Sequence, residues 1–122
     1  MKNAKRILVV DDESDLVEIT QSHLEEAGYQ VLTASDGQEG LEVARRTKPD
    51  MIILDIAMPG MNGLEMLRIL RATPGLATIP VLMLTAKGHS ENIFESERLF
   101  AVDFLIKPYT YEALLYAVRK VL

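Results

Sequence analysis

Met51-Ile52-Ile53-Leu54 is an unbroken apolar run that stops on a carboxylate, Asp55. Such a run has no polar face, so a strand built from it must be covered on both sides, the setting of a parallel sheet. The pattern recurs along the chain. Ile7-Leu8-Val9-Val10 ends in Asp11-Asp12-Glu13, Pro80-Val81-Leu82-Met83-Leu84 ends in Thr85-Ala86, and Val102-Asp103-Phe104-Leu105-Ile106 ends in Lys107-Pro108. Tyr29 to Ala34 reads as a less apolar strand, suited to a sheet edge.

Helical patterns fill the intervals. Ser14 is placed to cap a first helix carrying Leu16, Ile19, Leu24 and Ala27 at helical spacing, with Val17 and Thr20 alongside and Gly28 as its left-handed stop. Asp36-Gly37-Gln38-Glu39 reads as a capping box opening a second helix with Leu41, Val43 and Ala44, halted at Lys48-Pro49. After the turn at Pro59-Gly60, Asn62 and Glu65 cap a third helix with Leu64, Leu67 and Leu70, which ends before Pro74-Gly75. A more polar fourth helix is expected between Ser90 and Leu99, with Ile93 and Phe94 its main apolar members. Thr110 caps a fifth bearing Leu114, Leu115, Val118 and Val121 or Leu122. Five strands alternating with five helices demand a parallel α/β sheet with right-handed crossovers and helices on both faces. At 122 residues, one core is expected, and residues 1–122 read as a single domain.

Composition excludes several functions. A net charge of −5 argues against nucleic acid as a direct partner. The absence of cysteine removes disulfides and thiolate metal sites. No apolar run approaches the roughly 20 residues that span a bilayer, and the N-terminal segment lacks the pattern of a signal peptide. The expectation is a cytoplasmic domain without membrane contact.

In a parallel sheet, the ends of the strands share one edge, so Asp11, Asp12, Asp55, Thr85 and Lys107 can converge there. Singly, each has a plainer role: a helix cap, a strand residue, a surface lysine. Four strand ends supplying three acids, a hydroxyl and an amine resist that explanation together. Three gathered carboxylates repel one another unless a cation sits among them. Oxygen ligands alone suit a hard ion such as Mg2+, which keeps waters and binds phosphate oxygens. Lys107 and Thr85 would supply the positive charge and hydroxyl that a phosphoryl group needs. Asp55, central in the sheet, is the best-placed carboxylate to act as a nucleophile toward phosphorus.

At this point the chain resembles the receiver domain of two-component response regulators, over essentially its full length. The matching residues are Val9-Val10-Asp11-Asp12-Glu13, Leu54-Asp55-Ile56-Ala57-Met58-Pro59-Gly60-Met61-Asn62-Gly63, Leu84-Thr85-Ala86 and Lys107-Pro108. The resemblance implies a flavodoxin-like (βα)5 three-layer sandwich with strand order 2-1-3-4-5. It implies that Asp55 accepts phosphoryl from a phosphohistidine on a histidine kinase or phosphotransfer protein, and that the domain is not an enzyme beyond catalysing its own phosphorylation and dephosphorylation. Asp12, Asp55 and the backbone carbonyl of Ala57 would hold Mg2+ (or Mn2+), with Asp11 acting through water. Lys107 would pair with the phosphoryl group or, before phosphorylation, with Asp55. Thr85 and Phe104 would switch together, shifting the face made by the fourth helix, fifth strand and fifth helix, where an output partner or a second copy would dock.

Some positions depart from the family pattern. Phe104 has no hydroxyl, which excludes a switch that uses one. Phe100 stands where glycine is usual at a left-handed helix stop, so the fourth helix is expected to end differently or to be displaced. Lys87 is expected to reach over the site beside the small Ala57 and to slow or redirect hydrolysis. Met58, Met61, Met66 and Met83 read as packing, His23 and His89 as surface residues, and Tyr109, Tyr111 and Tyr116 as a cluster around the last helix. Two rival readings fail on residues. A metal-dependent aspartyl phosphatase would carry an acid two positions after its nucleophile, where this chain has Ala57. A nucleotide- or flavin-binding domain would carry a glycine-rich loop after the first strand, where this chain has Asp11-Asp12.

Overall fold

A computed structural model describes residues 4–86 and 95–122. The elements follow in the order β1 (Arg6–Val10), α1 (Ser14–Glu26), β2 (Gln30–Ala34), α2 (Gly37–Thr47), β3 (Met51–Asp55), α3 (Gly63–Ala72), β4 (Val81–Ala86), a helical stretch over residues 95–98 (α4), β5 (Asp103–Lys107) and α5 (Tyr111–Val121). The five strands form one parallel sheet of order β2-β1-β3-β4-β5. The sheet is the flavodoxin-like one expected, with β2 at an edge.

Alternation along the strands divides the core in two. Leu8, Val10, Ile52, Leu54 and Met83 face α2 and α3, where they meet Leu41, Ala44, Met66, Leu67 and Leu70. Ile7, Val9, Met51, Ile53, Leu82 and Leu84 face α1 and α5, where they meet Leu24, Leu114, Ala117 and Val118. The wholly apolar strand runs are therefore used on both sides. Each fully buried Leu or Ile contributes about 1.5–3 kcal/mol.

Helix ends explain the connections, with three adjustments to the sequence reading. Asn62 and Glu65 form the reciprocal capping box at α3, and Thr110 caps α5 by accepting from the Ala113 amide. At α2, Asp36 accepts from Glu39 N–H, but the Glu39 carboxylate reaches back to Ser35 instead of Asp36. Ser14 is the first residue inside α1, and the cap position belongs to Glu13, whose side chain makes no capping bond. The buried seam of α1 runs through Thr20 and Leu24, leaving Ile19 55% exposed. Thr20 tolerates burial because its hydroxyl shares a 3.0 Å hydrogen bond with the Tyr109 hydroxyl.

The end of α4 overturns the expectation for Phe100. Its φ is +59°, the left-handed conformation normally given to glycine. Phe100 N–H donates to Glu97 O and Ala101 N–H to Ser96 O, the paired bonds of a Schellman stop. Phe100 is held there by Arg71, which donates from Nε to Leu99 O (2.9 Å) and from Nη2 to Phe100 O (3.1 Å). Its Nη1 bonds Ala77 O (3.1 Å) and Ile79 O (2.9 Å). The expected start of the fourth helix, His89 and the Lys87 proposal lie outside the described residues.

Candidate functional site: the carboxyl edge of the sheet

The backbone builds the site before any side chain does. β1 and β3 are neighbours in the middle of the sheet, so the residues at their carboxyl ends come together. Beyond β3, Gly63 N–H donates to Ile56 O at 2.9 Å, tying the start of α3 to the strand end. A Cβ at Gly63 would lie 2.2 Å from the Asp55 carbonyl oxygen, so only glycine permits that approach.

Asp11, Asp12 and Asp55 each offer a carboxylate oxygen within 4.8 Å of the others. Asp11 and Asp55 are buried and Asp12 is exposed. Lys107 Nζ lies 3.0 Å from Asp11 Oδ2, 3.3 Å from Asp55 Oδ2 and 2.6 Å from Glu13 Oε1. Asp11 Oδ1 accepts from Glu13 N–H at 3.0 Å.

The electrostatics follow from this crowding. Burial, followed by repulsion from Asp11, pushes the Asp55 carboxyl from 3.8 up to about 7, with Lys107 opposing both. Burial pulls the Lys107 ammonium down, but Glu13, Asp11 and Asp55 outweigh it and hold it above the ordinary lysine value. Nearby, burial raises the Tyr109 hydroxyl.

The residues fit a hard divalent cation. Asp11 Oδ2 is sealed from solvent and makes no aligned hydrogen bond, although the ammonium is close. That oxygen retains lone-pair capacity for a further positive charge, and the cluster offers oxygen alone. Ala57, two residues past Asp55, is exposed.

The edge thus unites four residues expected from the sequence: Asp11, Asp12, Asp55 and Lys107. Thr85 is buried at the end of β4, and its hydroxyl donates weakly, at 3.4 Å, to Ala86 O. Phe104 is part-buried against the core on the α2/α3 side. Sequence reasoning places Glu13 within the matching run but finds no task for it. A glutamate at a helix N-cap, where Ser, Thr, Asp or Asn serve better, was the available signal.

A flavodoxin-like sheet whose carboxyl edge gathers three aspartates and a lysine defines the class of α/β signalling domains that carry an acidic pocket at their strand ends. The sequence profile of the response regulator receiver domain matches residues 7–119, and the chain belongs to that family of two-component signalling switches. The chain is 43% identical over 106 residues to the alkaline phosphatase synthesis transcriptional regulatory protein PhoP of Bacillus subtilis, covering 87% of this chain and 43% of that protein. It is 36% identical over 115 residues to the DNA-binding response regulator MtrA of Mycobacterium tuberculosis, covering 94% of this chain and 49% of that one. The chain therefore spans about half the length of the curated relatives it matches. Among solved structures, chemotaxis protein CheY4 of Vibrio cholerae superposes with a TM-score of 0.92 at 35% identity, covering 98% of this chain and 99% of that one. The receiver domain of a signal transduction histidine kinase from Syntrophus aciditrophicus gives 0.89 at 36% identity, covering 97% of this chain and 89% of that one. Receiver domains are signalling proteins. Among the described residues, no helix is long and apolar enough to cross a membrane.

Proposed function

We propose that residues 1–122 form one receiver unit whose switch is thrown by phosphorylation of Asp55. The observation that carries this reading is the Lys107 ammonium 3.3 Å from the Asp55 carboxylate, inside a cluster holding two further aspartates. An Asp55 oxygen attacks the phosphorus of a phosphohistidine on a histidine kinase or phosphotransfer protein. The P–N bond breaks, its electron pair leaves with the imidazole, and an acyl phosphate remains on Asp55. Asp12, Asp55 and the Ala57 carbonyl would hold Mg2+ or Mn2+ directly and Asp11 would hold it through water. Such an ion, when bound, offsets the carboxylate repulsion and the charge on the transferring phosphoryl oxygens.

Lys107 pairs with the phosphoryl group and stabilises its charge. Thr85 turns its weakly held hydroxyl from Ala86 O toward a phosphoryl oxygen, and Phe104 follows inward behind it. The phosphoryl group selects one of two arrangements by these differential contacts. The change is read on the α4/β5/α5 face, where Ile106 and Tyr116 are exposed. An output partner or a second copy docks there. With a net charge of −5, the domain itself does not bind nucleic acid directly, and it works in the cytoplasm.

Intact mass after treatment with a small phosphodonor and Mg2+ tests the reading. The wild-type chain gains the mass of one phosphoryl group, and Asp55→Asn gains none. Equal labelling of both proteins would overturn it.

A further inference from the structure

We propose that Glu13 is a positioning residue that competes with Asp55 for Lys107 and so restrains phosphorylation. This inference rests on the reading of Asp55 as acceptor. Of the three carboxylates around the Lys107 ammonium, Glu13 is the nearest, at 2.6 Å against 3.0 Å for Asp11 and 3.3 Å for Asp55. Lys107 is thus drawn most closely to the one carboxylate that neither attacks phosphorus nor would ligate the ion.

The backbone of Glu13 is fixed, while its side chain is exposed and bonded to Lys107. Its N–H donates to Asp11 Oδ1, and its carbonyl accepts from Val17 N–H at 3.0 Å. Standing at the N-cap of α1, it makes no capping bond with its side chain, so the carboxylate is spent on Lys107 instead. Residues that break a local rule in this way concentrate at functional sites. The Glu13 side chain is 60% exposed, against 1% and 3% for Asp11 and Asp55. Glu13 and Lys107 also rim an open groove of about 510 Å³ between α1 and the segment after β5. The Glu13 carboxylate can therefore swing into water without a burial penalty, whereas the two aspartates cannot. A phosphoryl group arriving on Asp55 adds negative charge that competes for the same ammonium, and Glu13 is the partner that yields.

The test is a double-mutant cycle in the whole chain, reading the rate of phosphoryl incorporation from a small phosphodonor with Mg2+ by intact mass. Glu13→Gln, which keeps shape and removes charge, incorporates phosphoryl faster than wild type by about 3–5-fold, the scale of an ion pair with one exposed partner. In the Lys107→Ala background, Glu13→Gln changes nothing, because there is no ammonium left to release. The gap between Glu13→Gln and wild type narrows as salt rises, since screening loosens the exposed pair; a purely structural effect would not respond to salt. A wild-type chain labelled on Asp55 and a Glu13→Gln chain that is no faster, or an equal gain without Lys107, would sink the positioning role alone. A wild-type chain that takes up no phosphoryl group would sink the reading of Asp55, and this inference with it.

Discussion

Two cations sit at opposite edges of the sheet, and they do different work. Arg71, at the end of α3, spreads its planar fork over four backbone carbonyls, those of Leu99, Phe100, Ala77 and Ile79. Every partner is neutral and fixed in the main chain, and four of the five guanidinium N–H groups are engaged. Burial lowers the guanidinium pKa without endangering its charge. Lys107, at the end of β5, faces three carboxyl groups, whose combined charge when ionised is more than one ammonium can neutralise. A balanced cation is a brace, whereas an outnumbered one is poised to change partners.

The largest expected effect comes from the outnumbered side. The folded-state value of Asp55, about 7, lies above its ordinary 3.8. Below pH ~4 both folded and unfolded chains are protonated there, and the stability from this group is fully present. As pH rises toward ~7 the unfolded chain loses its proton first, so metal-free stability falls across that window and levels above it. Each tenfold change in proton affinity is worth about 1.4 kcal/mol, so the fall amounts to several kcal/mol. Asp55→Asn removes that part of the slope in urea denaturation across the window; an unchanged slope would place the strain elsewhere.

The second effect belongs to the brace. Arg71→Ala strands carbonyls of two connecting segments and lowers unfolding free energy by about 2–3 kcal/mol. Its loss is the same with and without Mg2+, because none of its partners is charged. Rescue of Arg71→Ala by Mg2+ would break the contrast between the two edges.

The smallest effect sharpens it. Phe100 is 78% exposed and left-handed, so its ring contributes little packing to offset the backbone cost. Phe100→Gly should raise stability by about 0.5–1 kcal/mol, seen as a later urea midpoint at unchanged slope. A loss of stability would mean that the exposed ring is held by contacts of its own.

The strands were legible because apolar runs between polar stops leave few alternatives, and the carboxyl edge was legible because parallel strands must share it. Asn62 and Thr110 announced their helices through local chemistry that needs only a few residues. What stayed hidden depends on distance or on the main chain. Glu13 and Lys107 are 94 positions apart, and nothing local marks their pairing. Arg71 recognises carbonyls, which every residue carries, so no side-chain pattern reveals it. The Phe100 expectation failed for that same reason: intrinsic preference favoured glycine, and a distant guanidinium overrode it. Ile19 was assigned to the helix seam by spacing, whereas the hydroxyl bridge from Thr20 to Tyr109 turned that seam toward Thr20.

Gly63 couples the two edges mechanically. With no room for even a methyl group against the Asp55 carbonyl, the first turn of α3 sits on the strand end like a rod seated in a socket. The rod is 10 residues long, about 15 Å at the usual rise, and its far end carries the arginine that grips the Phe100 turn. The strand end that carries Asp55 and the turn on the opposite rim are therefore joined by one helix, seated at its start and gripped at its end.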